Sequence, residues 1–189
     1  MENNSLPSTI LEIDNGSSAI ILGGGCFWCI EAIFNQMRGV ISAESGYAGG
    51  WIENPSYEQV CDKNTGHAEV VKVIFNPSLI SASEILEVFF EIHDPTTVDR
   101  QGNDVGPQYR SIIFYSSEDE QIIAQQAIAK AQNNFGQTIV TELVPFINFY
   151  KAETYHQEYY YQHTNQPYCS AVITPKIKKF QKKYVDKLK

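Results

Sequence analysis

The amino-acid sequence predicts a single domain in which strands and helices interleave, an α/β or α+β fold. Three observations lead there. Short apolar runs of strand length alternate with segments whose apolar residues recur at helical spacing. The 189-residue length suits one domain with a real core. Hydrophobic residues make up 43% and charged residues 19%, the reverse of a disordered chain.

The elements follow in order. Residues 1–17 are polar, carry Pro7 and Asn15-Gly16, and read as an N-terminal arm with room for a short strand at 10–13. Residues 19–22 are a buried strand that ends at Gly23-Gly24-Gly25. Phe27, Ile30, Ala32, Ile33, Phe34 and Met37 then repeat near helical spacing until Gly39. The first unit is therefore strand, glycine turn, helix, with Cys26 at the helix start. Residues 40–50 read as a strand and turn, and residues 68–75 as an alternating strand stopped by Asn76-Pro77. Residues 81–93 read as a helix capped by Ser81 or Ser83, with Leu86, Phe89, Phe90 and His93 on one face. Residues 94–109 are a polar loop, of a length that is commonly functional in a compact domain. A strand at 111–115, a helix at 117–135, a strand at 139–144 and an aromatic-rich helix at 152–163 complete the domain. Residues 176–189 are a basic tail, read as a solvated short helix or a partner contact.

Composition narrows the function. Twenty-two acids against 14 bases give a net charge of -8, which argues against a phosphate-contacting nucleic-acid binder. The longest apolar run, 19–30, is broken by three glycines and falls short of the roughly 20 residues of a membrane helix. The N-terminus has neither the cationic nor the apolar part of a signal peptide, so a cytoplasmic location is expected. Four cysteines, at 26, 29, 61 and 169, then point to metal or redox chemistry rather than a disulfide framework.

Cys26 stands where a helix begins after three glycines. Helix N-terminal amides stabilise an anion, so a thiolate is favoured and its pKa is expected to fall. The glycines allow backbone to approach a substrate closely. This is the setting of a nucleophilic or redox cysteine; the competing reading is a small buried hydrophobe. Cys29 completes a C-x-x-C, which fits a thioredoxin-like dithiol, half a zinc site, or a cysteine on the buried face of the helix. The zinc reading lacks a second C-x-x-C. Phe27 and Trp28 beside a reactive thiol would form an apolar wall able to hold a small group such as a methyl. Glu69 falls at the start of a mostly apolar strand, where burial would raise its pKa and make it a general acid. An ordinary edge glutamate is the alternative.

Gly25-Cys26-Phe27-Trp28, Gly46-Tyr47 with Gly49-Gly50, Asn54-Pro55-x-Tyr57, Gly66-His67-Ala68-Glu69, His93-Asp94-Pro95, and Gln101-Gly102-Asn103-Asp104-x-Gly106-x-Gln108-Tyr109-Arg110 occur in this order. Together they resemble the peptide methionine sulfoxide reductases of type A, over roughly residues 19–170. The resemblance implies a single α+β domain, a two-layer sandwich of helices on a mixed sheet and a ferredoxin-like variant, with the catalytic domain at 18–175 between the arm and the tail. It implies an oxidoreductase that repairs methionine-S-sulfoxide, free or in proteins. Cys26 would attack the sulfoxide sulfur. Glu69 would protonate the oxygen, Tyr57 and Tyr109 would hydrogen-bond it, and Asp104 would assist. Phe27 and Trp28 would hold the substrate methyl. Cys26 would be left as a sulfenic acid. Cys169, in Tyr168-Cys169, resembles the family's resolving position, with Cys29 as the alternative resolving thiol. Thioredoxin would supply the electrons, with no metal and no organic cofactor. No Gly-rich tail and no further cysteine follow Cys169, a departure from some family members. His67 and His93 fall in the motifs as support or structural residues, Cys61 reads as structural, and His156 and His163 read as surface residues of the aromatic helix. Two other functions stay open on the residues alone: a dithiol-disulfide oxidoreductase using Cys26 and Cys29, and a zinc-binding interaction module.

Overall fold

In the computed structural model, which describes residues 16–189, an apolar strand β1 (Ser18–Gly23) leads through the glycine turn into α1 (Phe27–Phe34). The short strand expected at 10–13 lies outside the described residues. Gly25 takes φ +97°, and a Cβ there would meet the Gln101 side chain at 2.6 Å. Only glycine combines that backbone with that approach. The chain continues through β2 (Val40–Ala48), α2 (Tyr57–Cys61), β3 (Ala68–Phe75) and α3 (Ala82–Ile92). Ser81 caps α3 in a reciprocal capping box with Glu84.

A hairpin of β4 (Arg100–Gln101) and β5 (Asp104–Val105) follows, then β6 (Ile112–Tyr115), α4 (Glu118–Gln132), β7 (Glu142–Pro145), β8 (Tyr150–Lys151), α5 (Tyr159–Gln162) and α6 (Thr174–Lys183). The main sheet has the order β7-β6-β1-β3-β2-β8. Its centre is two split β-α-β units: β3 lies between β1 and β2, and β1 lies between β3 and β6, every pair antiparallel. β7 joins parallel to β6, and β8 antiparallel to β2, so the sheet is mixed as expected.

Alternation along the strands builds two unequal faces. Ile20, Leu22, Val71, Val73 and Phe75 meet the helices in one large core that includes Ile33, Phe34, Leu86 and Phe89. Each such side chain contributes about 1.5–3 kcal/mol on burial. Ile21, Ala48, Val70, Ile112 and Phe114 form a smaller cluster on the opposite face, with Phe146 and Phe149 against it. The tail packs rather than floats: Ile177 and Phe180 of α6 join the large core.

Three segments differ from the sequence expectation. The polar loop at 94–109 holds the β4–β5 hairpin and a 3-10 turn, Pro107–Tyr109. Gln101 pins it, its amide bonding both the N–H and the carbonyl of Asp94 at 2.9 Å. The strand expected from 139 begins at Glu142, because the Ile139 and Val140 amides bond Gln132 and Pro95 instead. The helix expected over 152–163 is broken into a 3-10 turn, Thr154–His156, and α5. Glu158 sits between them at φ +52°, its N–H donated to the Glu31 carboxylate at 2.8 Å.

Candidate active site

Cys26 is the N-cap of α1 and is half-buried. Glu69 binds the same helix end. In β3 it has the parity of Val71 and Val73, so it faces the helices, opposite Tyr47 of β2. The Phe27 amide, the first of α1, donates to its carboxylate at 3.1 Å. Glu69 is only 2% exposed. Burial lifts its carboxyl to about 8; the Phe27 amide opposes the shift, while the charges of Asp104 and Cys29 add to it. The acid is therefore mostly protonated at neutral pH.

The expected fall in the Cys26 pKa is not found. Burial raises it, with the Cys29 thiol and the charge of Glu69 adding, and only the Trp28 amide pulls it down. The helix end that should favour a thiolate is shared: its first amide already serves Glu69. Cys29, buried one turn on, is lowered chiefly by a hydrogen bond from the Cys26 thiol.

Tyr57 is the first residue of α2, where Ser56 and Gln59 form a capping box. Its amide donates to Glu153 at 2.8 Å. Tyr109 lies in the 3-10 turn after the hairpin. Burial first, then the charge of Glu69, raises both phenols, so each stays a donor. Asp104 accepts the Tyr168 hydroxyl at 2.7 Å, and that bond anchors the residue next to Cys169. Phe27 is fully buried beneath the site, while Trp28 is half-buried. The Trp28 indole stacks on Tyr159 at 3.8 Å and meets Tyr168 edge-on.

Cys169 opens a π-helical turn, Cys169–Ile173, and is 0% exposed. Burial raises its pKa, with the charge of Cys29 second. Cys61 is half-buried on α2. All four cysteines are free. His67 accepts the Gly50 amide at Nδ1 and bonds the Ile52 carbonyl through Nε2, which fixes the Gly49-Gly50 turn. Buried His93 bridges Phe89 and Ser111 and is pushed down to about 4 by burial. Among the described residues no three His, Cys, Asp or Glu side chains gather as a metal ion would need. No helix among them is long and apolar enough to cross a membrane.

Sequence reasoning placed His156 on an exposed face, and this is corrected: it is 1% exposed, with the Trp28 indole N–H donated to its Nδ1 at 3.1 Å. Glu153 and Tyr159 were also passed over; the density of tyrosines between 155 and 168 was a signal for Tyr159, and Glu153 had none.

A thiol and a protonated carboxyl thus share one helix end beside an aromatic wall, with two phenols that feel the carboxyl's charge, a set of groups that acid-assisted attack by sulfur can use. Comparison with known proteins gives the family. The peptide methionine sulfoxide reductase family matches residues 18–189. A peptide methionine sulfoxide reductase MsrA from Sulfolobus acidocaldarius is 58% identical over 166 residues, covering 88% of this chain and 94% of that protein. The crystal structure of reduced Mxr1 from Saccharomyces cerevisiae superposes with TM-score 0.77 at 34% identity, covering 85% of this chain and 93% of that one. Mxr1 in complex with Trx2 superposes with TM-score 0.55 at 28% identity, covering 80% and 90%. The chain belongs to the peptide methionine sulfoxide reductases of type A.

Proposed function

We propose that this chain reduces methionine-S-sulfoxide to methionine through the following chemistry. The Cys26 thiolate attacks the sulfoxide sulfur. Glu69 gives its proton to the oxygen, which is a poor leaving group until protonated. Tyr57 and Tyr109 donate hydrogen bonds to the same oxygen, and Asp104 holds Tyr168 across the site. Trp28, above buried Phe27, contacts the substrate methyl. The sulfur–sulfur bond so formed then breaks, its electron pair leaving with the substrate as methionine, while the oxygen passes from the substrate sulfur to Cys26 Sγ and leaves Cys26 as a sulfenic acid. The Cys169 thiol then displaces that oxygen as water and closes a Cys26–Cys169 disulfide. A thioredoxin-type dithiol reduces it; the solved pairing of the yeast relative with Trx2 supports this partner. The cycle uses two electrons from thiols and asks for no metal or organic cofactor. Four free cysteines fit a reducing compartment such as the cytoplasm. We assign the catalytic domain to residues 18–175 and a packing role to 176–189, where Ile177 and Phe180 enter the core.

The observation that carries this reading is the buried Glu69 carboxyl, held at about 8 and anchored on the first amide of the helix that Cys26 caps. A dithiol-disulfide oxidoreductase would leave Glu69, Asp104, Tyr57 and Tyr109 without a task. Within the reductase reading, Cys29 is the second candidate for the resolving thiol, because it stands one turn from Cys26 on the same helix while Cys169 is fully enclosed. The test traps the intermediate. A Cys29→Ser, Cys169→Ser variant is reacted once with sulfoxide and then with a sulfenic-acid-selective nucleophile. An adduct on Cys26 supports the chemistry; methionine release without it, or release by Cys26→Ser, contradicts it.

A further inference from the structure

His156 takes no part in the chemistry above, yet it sits at the centre of the aromatic cluster. An indole nitrogen is only a donor, so the bond from Trp28 requires a lone pair at His156 Nδ1 and places the imidazole proton on Nε2. That buried Nε2 has no hydrogen-bond partner among the described residues. Glu153 Oε2 lies 3.9 Å from it, beyond hydrogen-bond reach. The ring also lies against Tyr57 at 4.4 Å and Phe27 at 5.1 Å between centroids.

Trp28 is held in two different ways. Its stack on Tyr159, 9° from parallel, resists tilting but tolerates rotation within the plane of the indole. The bond to His156 is directional and removes that freedom. Glu153 carries the connection onward: it accepts the Tyr57 amide and the Tyr47 hydroxyl, each at 2.8 Å. The apolar wall and the oxygen-binding phenol therefore meet at His156 and Glu153.

We propose that His156 is a positioning residue: by accepting the Trp28 indole N–H it fixes the in-plane orientation of the wall that receives the substrate methyl. This rests on Trp28 being that wall. A protonated imidazolium offers donors at both nitrogens, so acid breaks the bond and turns Nε2 toward Glu153. Glu153 on its own segment and Glu58 of α2 are the acidic groups that face it and favour the charge; burial opposes them more strongly and keeps the ring neutral.

The experiment compares His156→Asn, which keeps an acceptor near the Nδ1 position, with His156→Leu, which does not, after melting curves show both are folded. His156→Leu raises KM for the sulfoxide roughly ten-fold with little change in kcat, and His156→Asn restores most of the loss. In a Trp28→Phe background the leucine substitution adds nothing. An undiminished effect in that background, or a fall in kcat at constant KM, overturns the proposal. A Trp51→Phe variant leaves Trp28 as the sole tryptophan, since the sequence has two and Trp51 is 72% exposed. Its emission shifts on acidification, and His156→Asn abolishes the shift; no shift in the His156 protein overturns the bond, whether or not His156→Leu folds. If Trp28→Phe leaves KM unchanged while the shift is present, the methyl-wall reading fails and the His156–Trp28 bond stands.

Discussion

The Phe27 amide donates to the Glu69 carboxylate at 3.1 Å, so the first turn of the helix that presents Cys26 is fastened to the acid beside it. The same bond uses the amide that would otherwise favour a thiolate. Nucleophile and acid thus compete for one helix end, and burial pushes both pKa values up.

A pH dependence follows. The reacting form needs a Cys26 thiolate and a protonated Glu69. Below about 8 the acid is intact and the rate climbs with the thiolate fraction. Above about 8 each gain in thiolate is offset by loss of the acid, so the climb flattens. Glu69→Gln keeps the fold, lowers the single-turnover rate by roughly 100-fold or more, and lets the climb continue past that point. Rapid-quench rates across the alkaline range check this; an unchanged rate and profile would remove Glu69 from the chemistry.

Tyr57 and Tyr109 are raised by burial and by the charge of Glu69, so both act as neutral donors. Tyr57→Phe and Tyr109→Phe each lower kcat by roughly ten- to hundred-fold and leave KM nearly constant. Steady-state kinetics distinguishes this from a packing role, which would move melting temperature before rate.

Much of this site was legible in the sequence. A triple glycine before Cys26 marks a turn that only small residues allow, and an acid inside the apolar alternation of β3 marks Glu69. His156 was not legible. Its partner Trp28 stands 128 residues earlier, and the segment that carries His156 breaks at Glu158, whose left-handed backbone bonds Glu31, 127 residues earlier. The rise in the Cys26 pKa was hidden for the same reason: the helix end is a local feature, whereas burial and Glu69 arrive from elsewhere in the chain. β7 likewise starts late because Val140 bonds Pro95 across the fold.

Cys169→Ser still yields about one methionine per enzyme but stalls when thioredoxin is supplied, because the sulfenic acid on Cys26 lacks its partner. Counting methionine with and without reductant checks this. Full turnover would transfer the resolving role to Cys29.

The turn at Gly50 fixes the edge of the fold next to the site. A Cβ there would lie 2.3 Å from the Thr65 carbonyl oxygen and 2.5 Å from the His67 amide nitrogen, backbone atoms that do not yield. Gly50→Ala therefore destabilises by about 1–3 kcal/mol, and calorimetry should show a melting temperature lower by about 2–4 °C for each kcal/mol.

The central claim is that Cys26, aided by Glu69, reduces one epimer of methionine sulfoxide and is then bridged to Cys169. A single turnover without reductant, on resolved S and R methionine sulfoxide, followed by mass mapping of the disulfide, tests it most directly. Methionine from the S form alone, with Cys26 joined to Cys169, is the predicted result. Methionine from neither epimer, or S-form activity with Cys169 still free, would contradict it.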